Sequence, residues 1–185
     1  SLYAATKKSN ELMAHSYSHL YGIPCTGLRF FTVYGPWGRP DMAPMIFSKA
    51  ILSGNPIRVF NYGKMRRDFT YIDDVVDAIV LCSKKKAEID KKFDFKQPTP
   101  STSFAPYRIL NIGNNKPIEL MYFVELLENY LGKKAIIKYE KLQAGDVKST
   151  YADMKNIERW VNFKTSTSIE KGLERFCNWY KSFYS

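Results

Sequence analysis

Residues 25–34 read Cys-Thr-Gly-Leu-Arg-Phe-Phe-Thr-Val-Tyr, and the run that follows is Gly35-Pro36-Trp37-Gly38-Arg39-Pro40. The first stretch is β-branched and aromatic and follows Pro24, which predicts a buried strand over 25–34. The Gly/Pro run after it forces a loop. Upstream, Leu12, Met13, Tyr17 and Leu20 recur at helical spacing and Gly22 with Pro24 ends the run, so residues 3–21 are predicted helical. Downstream the alternation continues. Helix 43–53 closes on Gly54-Asn55-Pro56, short strands at 57–60 and 67–71 flank an Asn61–Gly63 turn, and Asp73 is placed to cap the next helix. Residues 84–106 are rich in Lys, Pro, Ser and Thr without periodicity and read as a mobile surface loop. A strand at 107–112, helix 118–131, strand 135–139, a helix near 153–160 and a last helix at 168–184 follow. Strands alternating with helices predict the α/β class.

The chain has 185 residues, 45% hydrophobic and 25% charged, which excludes disordered and collagen-like classes. No apolar run approaches the roughly 18 residues of a membrane span. The net charge of +10 favours an anionic partner without choosing one. Lys84–Lys86, Lys91-Lys92 and Lys133-Lys134 lack interleaved stacking aromatics, so they read as solvated basic faces rather than a nucleic-acid surface. Cys25, Cys82 and Cys177 are odd in number and widely spaced, as expected of reduced thiols in a cytoplasmic protein, and no zinc pattern is present. The opening Ser-Leu-Tyr has neither Met nor the pattern of a signal peptide, and reads as a chain entered partway through.

Tyr3-Ala-Ala-Thr-Lys7 sits in the first turns of the first helix, where i, i+4 spacing puts phenol and ammonium on one face. A free Tyr is a poor base at neutral pH, and a neighbouring Lys⁺ stabilises its phenolate. Such a pair can exchange a proton with a sugar or alcohol hydroxyl. By itself the spacing is common in ordinary solvent-facing helices. Three other features read as structural. His15 and His19 have metal-pair spacing but no further ligand, Asp73-Asp74 lies where a helix cap belongs, and Ser1 has no triad partner.

The ordered series Ser1-x-Tyr3-x-x-x-Lys7, Leu28–Pro36, Arg67–Asp74, Asn111-Ile112-Gly113 and Gly145-Asp146-Val147 resembles the C-terminal part of the extended short-chain dehydrogenase/reductases that act on nucleotide sugars. The resemblance covers essentially the whole chain and is weakest over 84–106. Within that group Thr32 and Gly38-Arg39-Pro40-Asp41-Met42 are most similar to the UDP-glucuronate 4-epimerases. The implied fold is the C-terminal part of a Rossmann-like doubly wound sheet plus a small mixed α/β substrate-binding domain. Residues 1–36 would end the NAD-binding domain and 37–185 would mainly form the substrate domain, with 67–85 and 107–113 returning to the Rossmann part.

The resemblance also implies roles. Tyr3 would be the catalytic base and acid at the sugar 4-hydroxyl. Lys7 would hold the nicotinamide ribose of NAD and lower the Tyr3 pKa, and Phe31 would wall the nicotinamide. Thr32 and Arg39 would engage the C5 carboxylate, Arg67 the diphosphate and Asp146 the uridine ribose hydroxyls. Asp41 and Pro44 open the helix that would wall the uracil, with Phe60 and Tyr62 as further candidates. The implied reaction oxidises C4 of UDP-glucuronate, turns the keto sugar and returns the hydride to its other face. Dimers are the implied oligomer.

The ten glycines form no GxxGxxG turn for the NAD pyrophosphate. Several βαβ units of about 30 residues each would come before Ser1, so the sequence is expected to be a truncated chain, inactive alone. Such a chain would leave an unpaired edge on the strand at 25–34 and expose the apolar helix face around Met13 and Tyr17, and it is expected to self-associate there. A sugar-nucleotide dehydratase, a uronate decarboxylase and a non-catalytic UDP-sugar-binding module are the alternatives.

Overall fold

The computed structural model describes residues 1–184. In chain order its elements are α1 (Leu2–Tyr21), β1 (Cys25–Phe30), β2 (Val33–Tyr34), α2 (Ala43–Ser53), β3 (Pro56–Val59), β4 (Arg66–Asp68), β5 (Thr70–Tyr71) and α3 (Ile72–Ser83). They continue with β6 (Tyr107–Ile112), β7 (Pro117–Glu119), α4 (Leu120–Leu131), β8 (Ile136–Tyr139), α5 (Lys155–Val161) and α6 (Ile169–Tyr184). The chain divides into two compact units, each assembled from separated stretches. One comprises Ser1–Arg29, Asp77–Ile112 and Met154–Lys164; the other comprises Phe30–Val76, Gly113–Asp153 and the chain from Thr165 onward. No helix among the described residues is long and apolar enough to cross a membrane.

In the first unit, the Ser1 hydroxyl caps α1 by accepting from the Ala4 N–H at 3.3 Å, and Gly22 ends the helix in the left-handed region at φ 63°. Glu11 accepts two bonds from Arg29 of β1, at 2.5 and 2.7 Å. The guanidinium holds the Glu11 carboxyl down at about 2. His15 Nε2 lies 2.6 Å from the Ser103 hydroxyl, and the Tyr107 hydroxyl donates to the Glu11 carbonyl at 3.0 Å. Residues 84–106 hold no helix or strand, but they are tied down by bonds such as Asp90 N–H to the Ser103 carbonyl at 2.9 Å.

The expected buried strand over 25–34 is not continuous, and of its residues only Tyr34 is buried. It breaks at Phe31 and Thr32, and β1 pairs only with β6, so Phe30 is left exposed. A strand with one paired edge in a two-stranded sheet cannot be covered on all sides. Leu12, Met13, Tyr17 and Leu20 of α1 are each more than half exposed, the apolar face that the sequence placed there.

The core of the second unit lies between α4 and α6, where Phe123, Val124, Leu127, Leu173, Phe176 and Cys177 are essentially inaccessible. Burial pushes the Cys177 thiol up to about 12, which leaves it an inert packing group. Gly172 on α6 faces Tyr34, whose hydroxyl leaves no room for a Cβ. Around this core β2 runs parallel to β5, β3 parallel to β8, and β4 antiparallel to β7 with Arg67 opposite Ile118.

Three boundaries differ from the sequence expectation. The strand at 57–60 is β3 and stops at Val59, because Asn61 and Tyr62 both adopt left-handed backbone in a 3₁₀ turn over Phe60–Gly63. Helix 118–131 starts only at Leu120, since Pro117–Glu119 pairs with β4. Asp73 and Asp74 do not cap α3, which already begins at Ile72. Asp74 is buried instead and accepts from the Ser166 N–H and hydroxyl, both at 3.2 Å, and from the Thr167 N–H at 3.1 Å.

Asp68 of β4 is fully buried. Its Oδ1 accepts from the Asn114 N–H at 2.8 Å, and its Oδ2 from Asn115 at 3.1 Å and Ala152 at 2.9 Å. Its own N–H donates to the Thr150 hydroxyl at 3.0 Å. Gly113 completes this knot, because a Cβ there would collide with Ala152 and come within 3.0 Å of Asp68 Oδ2.

Two outcomes follow for stability. Asp68→Ala takes the acceptor from one buried N–H donor, that of Ala152, and from two partly buried ones, those of Asn114 and Asn115, and should lower the urea-unfolding free energy by about 3 kcal/mol, with Asp68→Asn falling in between. The Glu11 pKa is depressed on folding, so its pairing stabilises the chain above the unfolded carboxyl value of 4.5 and loses that effect as pH falls toward about 2. Melting temperatures measured from pH 6 to about 2 should fall less steeply in Glu11→Gln than in the parent chain.

Candidate active site

A cleft of about 630 Å³ opens in the second unit. Thr32, Asp41, Arg67 and Asp146, four residues singled out in the sequence, line it together with Phe60. Each arrives by a separate route. Thr32 sits in the break between β1 and β2, where its carbonyl accepts the Thr70 N–H at 3.0 Å. Asp41 precedes α2, which begins with Ala43-Pro44 because Pro has no N–H to lose in a first turn. Arg67 stands on β4 beside the buried Asp68, and Asp146 follows Gly145 in the segment after β8.

Arg67 Nη2 donates to Asp146 Oδ1 at 2.8 Å, and its Nη1 donates to the Arg66 carbonyl at 3.0 Å. Arg67 thus does not pair with its neighbour Asp68; Asp68 spends its oxygens on backbone N–H groups, and the cation meets a carboxylate 79 residues away. Arg67 is mostly shielded from solvent, its side chain 16% exposed against 33% for Asp146. This pair is thus less screened than a surface ion pair.

Arg39 does not line the cleft. Its guanidinium grips Asp41 through two bonds, at 3.1 and 2.8 Å, and the Asp41 carboxyl is held below its usual range by those bonds. Pro44 is buried in α2 and Tyr62 points to solvent, so neither joins the lining that Phe60 reaches. Phe31 is half-buried and also lies outside the lining.

Sequence reasoning passed over Arg58, Gln143 and Leu120, all in the wall of the cleft. The signal for Arg58 was available. In Pro56-Ile57-Arg58-Val59, Ile57 and Val59 are buried and Arg58 faces the other way, as strand alternation requires. Its guanidinium lies 5.1 Å from the Phe60 ring centroid and bonds Glu140 at 2.8 and 2.6 Å. The cleft thus presents two guanidinium groups, each already paired with a carboxylate, beside a largely apolar floor that includes Phe69 and Ile57.

Tyr3 and Lys7 stand in the first unit on one face of α1, with the Lys7 ammonium 5.4 Å from the Tyr3 ring centroid. Both are exposed. His15 and His19 are occupied differently, edge-on to the Phe104 ring at centroid distances of 5.9 and 5.1 Å. Among the described residues no group of three or more His, Cys, Asp or Glu is arranged to hold a metal ion.

The family model described as NAD dependent epimerase/dehydratase family matches residues 1–120. The protein CapI of Staphylococcus aureus is 56% identical over 184 residues, a match covering all of this chain and 55% of that protein. A probable UDP-glucuronate 4-epimerase of Rhizobium meliloti is 50% identical, with 99% of this chain and 54% of that protein covered. Among solved structures, the UDP-glucuronic acid 4-epimerase of Bacillus cereus in complex with UDP-glucuronic acid and NAD superposes with a TM-score of 0.83 at 32% identity, over 98% of this chain and 53% of that one. The chain spans about half the length of the curated relatives it matches. With a family model matched over residues 1–120 and a Rossmann-like α/β fold shared with these structures, the chain belongs to the NAD dependent epimerase/dehydratase family.

Proposed function

We propose that this chain forms the substrate-binding and proton-transferring part of an NAD-dependent nucleotide-sugar epimerase that interconverts UDP-glucuronate and UDP-galacturonate. The observation that carries the reading is the convergence of Thr32, Asp41, Arg67 and Asp146 on one cleft. The relatives named as UDP-glucuronate 4-epimerases support the choice of sugar. Residues 1–36, with 67–85 and 107–113, are assigned to the cofactor domain and the rest of 37–185 to the substrate domain.

The residues present fit one end of NAD. Tyr3 and Lys7 offer a phenol and an ammonium on an accessible helix face, suited to ribose hydroxyls, and Phe31 offers an aromatic wall. A glycine-rich phosphate turn is not among these 185 residues. When bound, NAD supplies the reversible oxidation at sugar C4. Lys7 stabilises the Tyr3 phenolate, which accepts the C4 hydroxyl proton and later returns it. Arg67 pairs with the diphosphate, Asp146 accepts from the ribose hydroxyls, and Asp41 with the start of α2 borders the uracil.

Thr32 and Arg39 hold the C5 carboxylate. Arg39 must exchange Asp41 for it, a swap of one bidentate carboxylate for another. A held carboxylate also resists loss as CO₂ from the 4-keto uronate, which is a β-keto acid. The three free thiols suit the reducing cytoplasm, where we place the enzyme.

Calorimetric titration with UDP-glucuronate and UDP-glucose tests the site. Arg39→Ala should weaken UDP-glucuronate about tenfold, the worth of one charge-assisted bond, and leave UDP-glucose nearly unchanged. Equal loss for both removes the carboxylate role, and failure of the parent chain to bind either removes the substrate cleft. We further infer that two copies associate through the exposed α1 face around Met13 and Tyr17. Light scattering at micromolar concentration should give about twice the 21.4 kDa chain mass, and a mass of 21.4 kDa would refute the association.

A further inference from the structure

The first unit holds a second cleft, of about 180 Å³, lined by Ser101, Thr102, Arg108, Asn156, Arg159 and Trp160 among others. Arg108 projects from β6, and its guanidinium carbon lies 3.3 Å from the centroid of the Trp160 ring at the end of α5. The Lys85 ammonium lies 4.0 Å from the same centroid and donates to the Trp160 carbonyl at 2.8 Å. One indole therefore carries two cations.

These groups are not internally satisfied. Arg108 Nε and Trp160 Nε1 are both buried donors without a hydrogen-bond partner. Buried donors are nearly always paired, so two orphans at one cleft are informative. Burial pulls the Arg108 guanidinium below its usual pKa, while Glu88 and Asp90 pull it back from a distance. Neither carboxylate forms an ion pair with it, and Asp90 already spends its oxygens on the Lys92 N–H at 2.9 Å and the Thr102 hydroxyl at 2.8 Å. The exposed Arg159 adds a further cation at the rim.

We propose that this cleft binds a small multivalent oxyanion of the phosphate class, held between Arg108 and Arg159. Guanidinium forks match the oxygens of such an anion, and Ser101 and Asn156 supply neutral donors beside them. The volume accommodates roughly six waters, enough for one phosphate-sized group and too little for a nucleotide. The site is independent of the UDP-sugar cleft, whose lining shares none of these residues.

Inorganic phosphate is the probe, read out on the Trp160 indole N–H resonance of the whole chain, assigned by its loss in Trp160→Phe. Phosphate should shift this resonance saturably, and sodium chloride of equal ionic strength should not. Arg108→Gln should abolish the saturable shift. Arg159→Gln, a change at an exposed position that leaves the core intact, should weaken the affinity about fivefold. A shift that does not saturate or that chloride reproduces would overturn the proposal, and so would an Arg159→Gln titration matching the parent.

Discussion

The buried carboxylate of Asp68 ties together three stretches of the second unit. Asp68 has no cation to balance it; backbone N–H groups from Asn114, Asn115 and Ala152 do that work. A desolvated carboxylate is tolerated only when its oxygens are filled, and this one fastens two loops that are distant in sequence to the end of β4. The positions beside Asp68 inherit that placement. Arg67 is turned toward the cleft and Asp146, Phe69 stacks on Phe123 of the core with centroids 4.5 Å apart, and the Thr70 N–H holds the Thr32 carbonyl. Four consecutive residues thus serve the cleft, the knot, the core and the adjoining loop.

The cleft is charged yet internally neutralised. Arg58, Arg67 and the neighbouring Arg39 each rest on a carboxylate. Prepaired cations keep their side chains ordered before a ligand arrives, so less rotamer freedom is lost on binding. They also make binding an exchange of anions, which favours a ligand whose charges can replace several carboxylates at once. A nucleoside diphosphate bearing a sugar acid has that distribution of charge.

Local periodicity made most of the fold legible. α1 and α2 follow apolar spacing and their Gly and Pro stops almost residue for residue, and α6 follows apolar spacing alone. The elements that were misread are those whose state depends on a partner far along the chain. Ile118 and Glu119 look helical until β4 claims them, and Asp74 looks like a cap until the 166–167 backbone claims it. Motif order likewise singles out Arg67 and Asp146, but nothing local says that they line one cleft and pair with each other. Arg58 belongs to no motif, and only its alternation with the buried Ile57 and Val59 marks it. The orphaned donors of Arg108 and Trp160 left no sequence signal, since β6 and α5 meet only in three dimensions.

The interleaving of the two units bears on how the chain reaches its fold. The Asp68 knot joins residues separated by 46, 47 and 84 positions, so it closes only after long loops have been brought together. The backbone bonds inside helices such as α4 and α6 are local, whereas the packing of those helices on each other and the knot both join distant parts of the chain. Arg67 and Phe69, which flank Asp68, both line the cleft, so a ligand bound there adds its binding free energy to the folded arrangement that the knot completes.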